Sequence, residues 1–190
     1  MSANDRLGVF ISYSHVDKQW LERLKVHLRP MVRENPIDIW DDTRIQPGML
    51  WQNEIDEALQ SAAVAVLLVS ADFLASDFIA SNELPPLLDA AKERGTKILP
   101  IIVSPSRFEK TESLAQFQAV NNPSKPIVNL SRGEQEVVFV RAAESIEFAI
   151  GANKVEVLEK KVKQQETKVE KQQEIINQLV VFSMAFFLNR

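Results

Sequence analysis

Val64-Ala65-Val66-Leu67-Leu68-Val69 is apolar at every position, with no alternation between two faces. A strand wetted on one side alternates; a strand covered on both sides does not, and such a run marks the centre of a parallel sheet. Outward from it, Leu7-Gly8-Val9-Phe10-Ile11 is a second short apolar run, and Ile37-Asp38-Ile39-Trp40 a third. Residues 97–103 and 127–130 complete five expected strands. Helical patterns lie between them. Trp20, Leu21, Leu24, Leu28 and Met31 recur at helical spacing, with Pro30 and Pro36 bounding the exit. Trp51, Ile55, Ala58, Leu59 and Ala62 form another apolar stripe, which puts Trp51 in the core. A third helix is expected over residues 76–94, stopped by Gly95 as its C-cap, and a last one over 134–150.

Strand and helix alternate, so the fold class is α/β: a five-stranded parallel sheet of flavodoxin-like type with helices on both faces. Ligands in such sheets sit beyond the carboxyl ends of the strands. Ser14-His15-Val16-Asp17 resembles a capping box at the first helix. Residues 41–50, with Pro47-Gly48, read as a turn-rich loop.

The chain has 190 residues, 45% hydrophobic and 25% charged, which is ordinary for a globular protein and too apolar for a disordered one. No cysteine is present, which excludes disulfides, thiolate metal sites and cysteine nucleophiles. Two histidines, His15 and His27, are too few for a His-rich metal centre, and mid-helix His27 is expected at the surface. The net charge of -4, without a basic run, argues against nucleic acid as a partner. Residues 1–6 lack an apolar signal core, so the cytoplasm is the default compartment. The longest apolar stretch, residues 179–188, is too short to span a bilayer.

Composition changes at Gly151. All five glycines and all nine prolines lie at or before it. The tail carries seven Lys/Arg against five Asp/Glu, the preceding residues 15 against 21. Residues 5–151 therefore form an acidic domain, and 152–190 one long helix. Val155, Leu158, Val162, Gln165, Val169, Gln172, Ile176 and Leu179 fall at alternating spacings of three and four, a heptad seam. A helix this polar is marginal alone, which favours self-association over a solvated single helix. Residues 180–188 are apolar on too many faces for the same seam.

Several chemistries are missing. The turn expected after the first strand, Ser12-Tyr13-Ser14-His15, carries neither GxGxxG nor GxxxxGK[ST], and no Gly-x-Ser-x-Gly elbow occurs. No metal-ligand spacing is present, and Asp41-Asp42 alone would hold magnesium poorly. What remains is a polar cluster at strand ends. Within it, Ser81-Asn82-Glu83-Leu84-Pro85-Pro86 places a carboxylate where two prolines interrupt a helix. Neither proline donates an amide hydrogen, so the carbonyls of Ser81 and Asn82 lose their usual partners. A carboxylate beside freed carbonyls is a locally electronegative spot, suited to hydroxyls or developing positive charge. The plainer reading is a surface glutamate near a helix start.

These segments together resemble a bacterial TIR (Toll/interleukin-1 receptor) domain. The motifs are Val9-Phe10-Ile11-Ser12-Tyr13-Ser14 with Asp17; Trp40-Asp41-Asp42-Thr43-Arg44-Ile45-Gln46-Pro47-Gly48, similar to the family's BB loop; Ser76-Asp77-Phe78-Ile79-Ala80-Ser81-Asn82-Glu83-Leu84; and Ile98-Leu99-Pro100-Ile101-Ile102-Val103. The resemblance covers residues 5–150 and implies cleavage of NAD+ between nicotinamide and ribose, with Glu83 catalytic. NAD+ is then the substrate, and neither metal nor cofactor is implied. The implied contacts are Ser12, Tyr13, Ser14 and His15, with Arg44 for the pyrophosphate; His15 reads equally as an exposed loop residue. Enzymatic relatives often carry an aromatic residue four positions before the glutamate. Here Ile79 stands there and Phe78 precedes it, so Phe78 or Trp40 would stack on nicotinamide.

Two functions follow. One is an NAD+ glycohydrolase in defence or signalling, switched on by TIR self-assembly and aided by the tail helix. The other is a non-catalytic adaptor acting through TIR–TIR contacts. A receiver-like phosphoacceptor is set aside, because Val69-Ser70 stands where it needs an aspartate.

Overall fold

The computed structural model describes residues 7–34, 37–44 and 51–188. Two compact units divide the chain, Met1–Gly151 and Ala152–Arg190. In the first, strands β1 (Leu7–Tyr13), β2 (Ile37–Trp40), β3 (Ala62–Val69) and β4 (Lys97–Ile102) form a parallel sheet in the order β2-β1-β3-β4. Helices α1 (Lys18–Glu34), α2 (Trp51–Ser61), α3 (Ala71–Ala75), α4 (Leu84–Arg94) and α5 (Glu112–Ala115) intervene, and α6 spans Arg132–Leu188.

The pleat sorts the core into two layers. Val64, Val66 and Leu68 of β3 pack with Val9 and Ile11 of β1, with Leu21, Leu24 and Leu28 of α1, and with Phe139 and Ile146 of α6. Ala65, Leu67 and Val69 face the other way, with Phe10, with Ile55 and Leu59 of α2, and with Leu87 of α4. Every β3 residue is buried, as its unbroken apolar run requires. Gly8 permits β1 to meet the end of α2, since a Cβ there would lie 2.9 Å from the Ser61 carbonyl oxygen.

Four expectations are corrected. The sheet has four strands among the described residues, not five. Ile127–Asn129 is a 3-10 turn, whose Val128 N–H bonds the Val103 carbonyl just beyond β4 at 3.0 Å. The edge of β4 is satisfied instead by Val120 N–H, which donates to the Pro100 carbonyl (2.9 Å), and by the Asn121 side-chain amide, which accepts from Ile102 N–H (2.8 Å) and donates to its carbonyl (3.0 Å). Secondly, β1 continues through Ser12 and Tyr13, so these are strand residues and not a turn. Thirdly, the Ser14 hydroxyl caps nothing, and Asp17 is buried against Ser70. Finally, His27 is not at the surface. Its ring is largely covered, stacks on Phe139 at 5.6 Å and bonds Glu136 at 2.7 Å. The Pro47-Gly48 turn and the Trp51 side chain lie outside the described residues, so the core placement of Trp51 goes no further.

Candidate active site

The sheet order reverses around β1, and an open α/β sheet leaves a crevice at such a switch point. A cavity of about 450 Å3 opens there, within the range of small-ligand sites. Its wall includes Ser12 and Tyr13 from β1, Trp40 from β2 and Glu83 from the helical segment before α4.

Glu83 owes its position to a π-helical turn, Ile79–Glu83. Pro85 and Pro86 have no amide hydrogen, so α-type bonds back to Ser81 and Asn82 cannot form. The chain widens by one residue, and Leu84 N–H reaches the carbonyl of Ile79, five residues back. The widened turn also turns Phe78 toward the side of Glu83, five residues on, where α spacing would carry it away. Phe78 and Ile79 both line the cavity, Ile79 with its side chain buried in the core layer of α2 and α4.

Strand alternation delivers the partner. Ser12 shares the α4-side face of β1 with Phe10, and its hydroxyl donates to the Glu83 carboxylate. Both are buried, Ser12 to 2% exposure and Glu83 to 6%. Burial is the main reason that the Glu83 pKa rises from 4.5 to about 7. The Ser12 bond and the His15 charge oppose the rise; the Asp42 charge adds to it.

Trp40 is placed by register. It pairs with Phe10 across β1 and β2, and the rings stack at 5.0 Å and 9°. One indole face is thus occupied by Phe10. Ser14 and His15 line the cavity mouth, with most of the His15 side chain exposed. Arg44 is not brought to the cavity wall. Its guanidinium bonds Asp38 at 2.5 Å and the Ile39 carbonyl at 2.9 Å.

Asp42 was absent from the expected site and is central to it. Its carboxylate accepts from the Tyr13 hydroxyl at 2.7 Å and pairs with the His15 ring nitrogen. Burial and this bond push the Tyr13 hydroxyl pKa well above its ordinary value. The neighbouring Asp41 faces inward, 1% exposed, and is held by Lys25 at 2.8 Å and by the Thr43 hydroxyl at 2.5 Å. Neither aspartate is therefore a simply solvated loop residue. Among the described residues no cluster of three or more acidic or histidine side chains could hold a metal ion, and no helix is long and apolar enough to cross a membrane.

Fold and site together define an open parallel α/β domain with a carboxylate facing a cavity at the strand ends. Residues 9–135 match the TIR domain family, and the chain belongs to that family. An uncharacterised protein of Sinorhizobium fredii (strain NBRC 101917 / NGR234), y4lF, is 29% identical over 144 residues. That match takes in 76% of this chain and 44% of the relative, so the chain spans less than half of the relative's length. Among solved structures, the TIR domains of the activated Roq1 resistosome, which directly recognises the pathogen effector XopQ, match at 17% identity. The TM-score is 0.39, over 78% of this chain and 83% of that one.

Proposed function

We propose that this protein is an NAD+ glycohydrolase that cleaves the nicotinamide–ribose bond, with Glu83 as its catalytic residue, and that it acts in bacterial defence or signalling. The observation that carries this reading is a buried carboxylate opening onto a cavity whose wall also includes Trp40, Phe78 and Ile79. Nicotinamide leaves as a neutral base, and positive charge develops on the ribose. A carboxylate held in a water-poor wall stabilises that charge far more than one in solvent. A bound cation also favours ionised Glu83, offsetting the burial that raises its pKa to about 7. Water attack then gives ADP-ribose; attack by a nucleophile within the substrate gives a cyclic isomer.

Phe78 is assigned the stacking role, because the π turn brings it to the wall where the family's aromatic residue would stand. Trp40 assists as a fixed platform, while Ser14, His15 and Tyr13 contact the substrate at the mouth. Self-association through the TIR domain and the tail helix raises the local concentration of sites. The setting is cytoplasmic, where NAD+ is available.

Ile79 in place of an aromatic residue favours a second reading, a non-catalytic adaptor working through TIR–TIR contacts. One assay separates them. Purified protein over a range of concentrations is incubated with NAD+, and free nicotinamide is measured. Release that rises steeply with protein concentration and vanishes in Glu83→Ala supports the enzyme. Assembly in sedimentation without release at any concentration supports the adaptor.

A further inference from the structure

The unit of residues 152–190 holds a single helix among its described residues. Val155, Val162, Val169 and Ile176 occupy the a positions of its heptads; Leu158, Gln165, Gln172 and Leu179 occupy d. All six apolar members are more than half exposed. The residues beside the seam say what covers it. The first three g positions are Lys154, Lys161 and Lys168, with Ile175 at the fourth; the e positions between them are Glu159, Glu166 and Gln173.

In a parallel pair, each g side chain faces the e side chain of the next heptad on the second helix. Lys154 then meets Glu159 of the other copy, and Lys161 meets its Glu166, each contact occurring twice by symmetry. In an antiparallel pair g faces g and e faces e, which sets Lys against Lys and Glu against Glu. Bonding within one helix would not select this arrangement, because Lys161 and Glu166 stand five residues apart, outside the reach of neighbouring turns.

Register and strand number follow from the seam. Aligned copies put Gln165 beside Gln165 and Gln172 beside Gln172, where the amides bond each other. A slip of one heptad sets Gln against Leu at two d layers and leaves buried amides unpaired. β-Branched residues at every a position with Leu at the outer d positions favour two strands.

We infer that residues 152–179 pair with a second copy of this chain as a parallel, in-register, two-stranded coiled coil. This deepens the self-association part of the proposed function and is independent of catalysis. Parallel pairing ties two domains to the same end of the coil.

The chain lacks cysteine, so one introduced thiol is a unique reporter. Full-length Val155→Cys and Leu179→Cys chains are oxidised separately and after mixing, and run without reductant. Parallel pairing gives disulfide dimers within each variant and no 155–179 species. A 155–179 disulfide only on mixing, which an antiparallel a–d layer would form, overturns the orientation, and no disulfide in any arm overturns the pairing. A cysteine-free check reads dimer dissociation by sedimentation. Replacing Glu159 and Glu166 by Lys should weaken the dimer about tenfold or more. Adding a chain with Lys154→Glu and Lys161→Glu should restore it as a heterodimer. Unchanged dissociation in the first variant overturns the e–g assignment. Nicotinamide release enters neither readout, so loss of the enzyme reading would leave this result standing.

Discussion

Among the described residues, two carboxylates are buried against serines, and one of them, Glu83, lines the cavity. Asp17, 6% exposed, accepts from Ser70 at 2.5 Å, and the same Ser70 oxygen accepts from Phe73 N–H at 2.9 Å to cap α3. Glu83, equally buried, accepts from Ser12. Burial is the leading cause of a raised pKa in both, and the serine bond opposes it in both. What differs is the other side of the group. Asp17, just before α1, is bonded to Ser70 just after β3 and is not among the residues that line the cavity, whereas Glu83 opens onto about 450 Å3 of it. Burial, a hydrogen-bonding serine and a perturbed pKa are thus common to a structural pair and a candidate catalytic one. The cavity separates them, and perturbed ionisation alone would have chosen both.

The strongest way to break this contrast is activity. Glu83→Ala should lower kcat about a thousandfold, the scale of removing a preorganised charge-stabilising group. Asp17→Ala should leave the turnover of the folded fraction within about threefold. It strands the Ser70 hydroxyl in the core and should cost about 1–3 kcal/mol of stability by urea titration. Equal losses of kcat in both would erase the distinction.

Stability sharpens the contrast with opposite signs. The folded-state pKa of Glu83 is about 7, above its ordinary 4.5, so the folded state holds this proton more tightly than the unfolded chain. That contribution to stability is complete below pH 4.5 and is lost as pH rises through 7. Glu83→Gln keeps an acceptor for Ser12 and cannot ionise. It should gain on the order of 2–3 kcal/mol at pH 8, and almost nothing near pH 4. An inactive variant more stable than the parent is the mark of a group kept for function. Asp17, whose pKa burial also raises, shares the direction of this pH dependence, but Asp17→Ala should show a net loss because it leaves the Ser70 hydroxyl without its acceptor.

The cavity wall gives the next effect. Phe78→Ala should raise KM or lower kcat ten- to a hundredfold, the range for loss of a base–aromatic stack. Ile79→Ala, which opens a hole in the core layer shared with α2 and α4, should chiefly reduce stability. The reverse pattern would move the stacking role off Phe78.

How much of this was readable beforehand depends on which force set each feature. β3 was legible because two-sided burial leaves an unbroken apolar run. The end of β1 was not, since Ser12 and Tyr13 are polar where the sheet meets the cavity, and hydropathy reads polar residues as loop. That same overrun hid Asp42, whose place in the site exists only because Tyr13 reaches it from the strand. The fifth strand failed because an irregular segment takes the edge bonds of β4, Val120 with its backbone amide at Pro100 and Asn121 with its side-chain amide at Ile102, an arrangement without periodicity. Glu83 was legible from its prolines, which announce lost amide donors. That they would force a π turn, and so restore an aromatic residue to the wall through Phe78, depends on backbone geometry that composition and periodicity do not carry.

The finest test turns on the two serines. Ser12 lies on the α4-side face of β1 and donates to Glu83, a bond that favours the ionised carboxylate. Removing the hydroxyl raises the Glu83 pKa further, so the acid limb of kcat against pH should move to higher pH in Ser12→Ala. A hydrogen bond to a charged group is worth about 1.5 kcal/mol, which sets the shift at about one pH unit. Well above that limb the rate should approach the parent's, because the carboxylate is then ionised without help. Ser12→Thr retains the donor and should return the limb to its place. Ser70→Ala is the matched control: it removes the hydroxyl from the closed pair, lowers stability, and leaves the limb where it was. A Ser12→Ala rate lowered equally at every pH would instead make this hydroxyl a ribose contact, and the resemblance between the two serine–carboxylate pairs would end there.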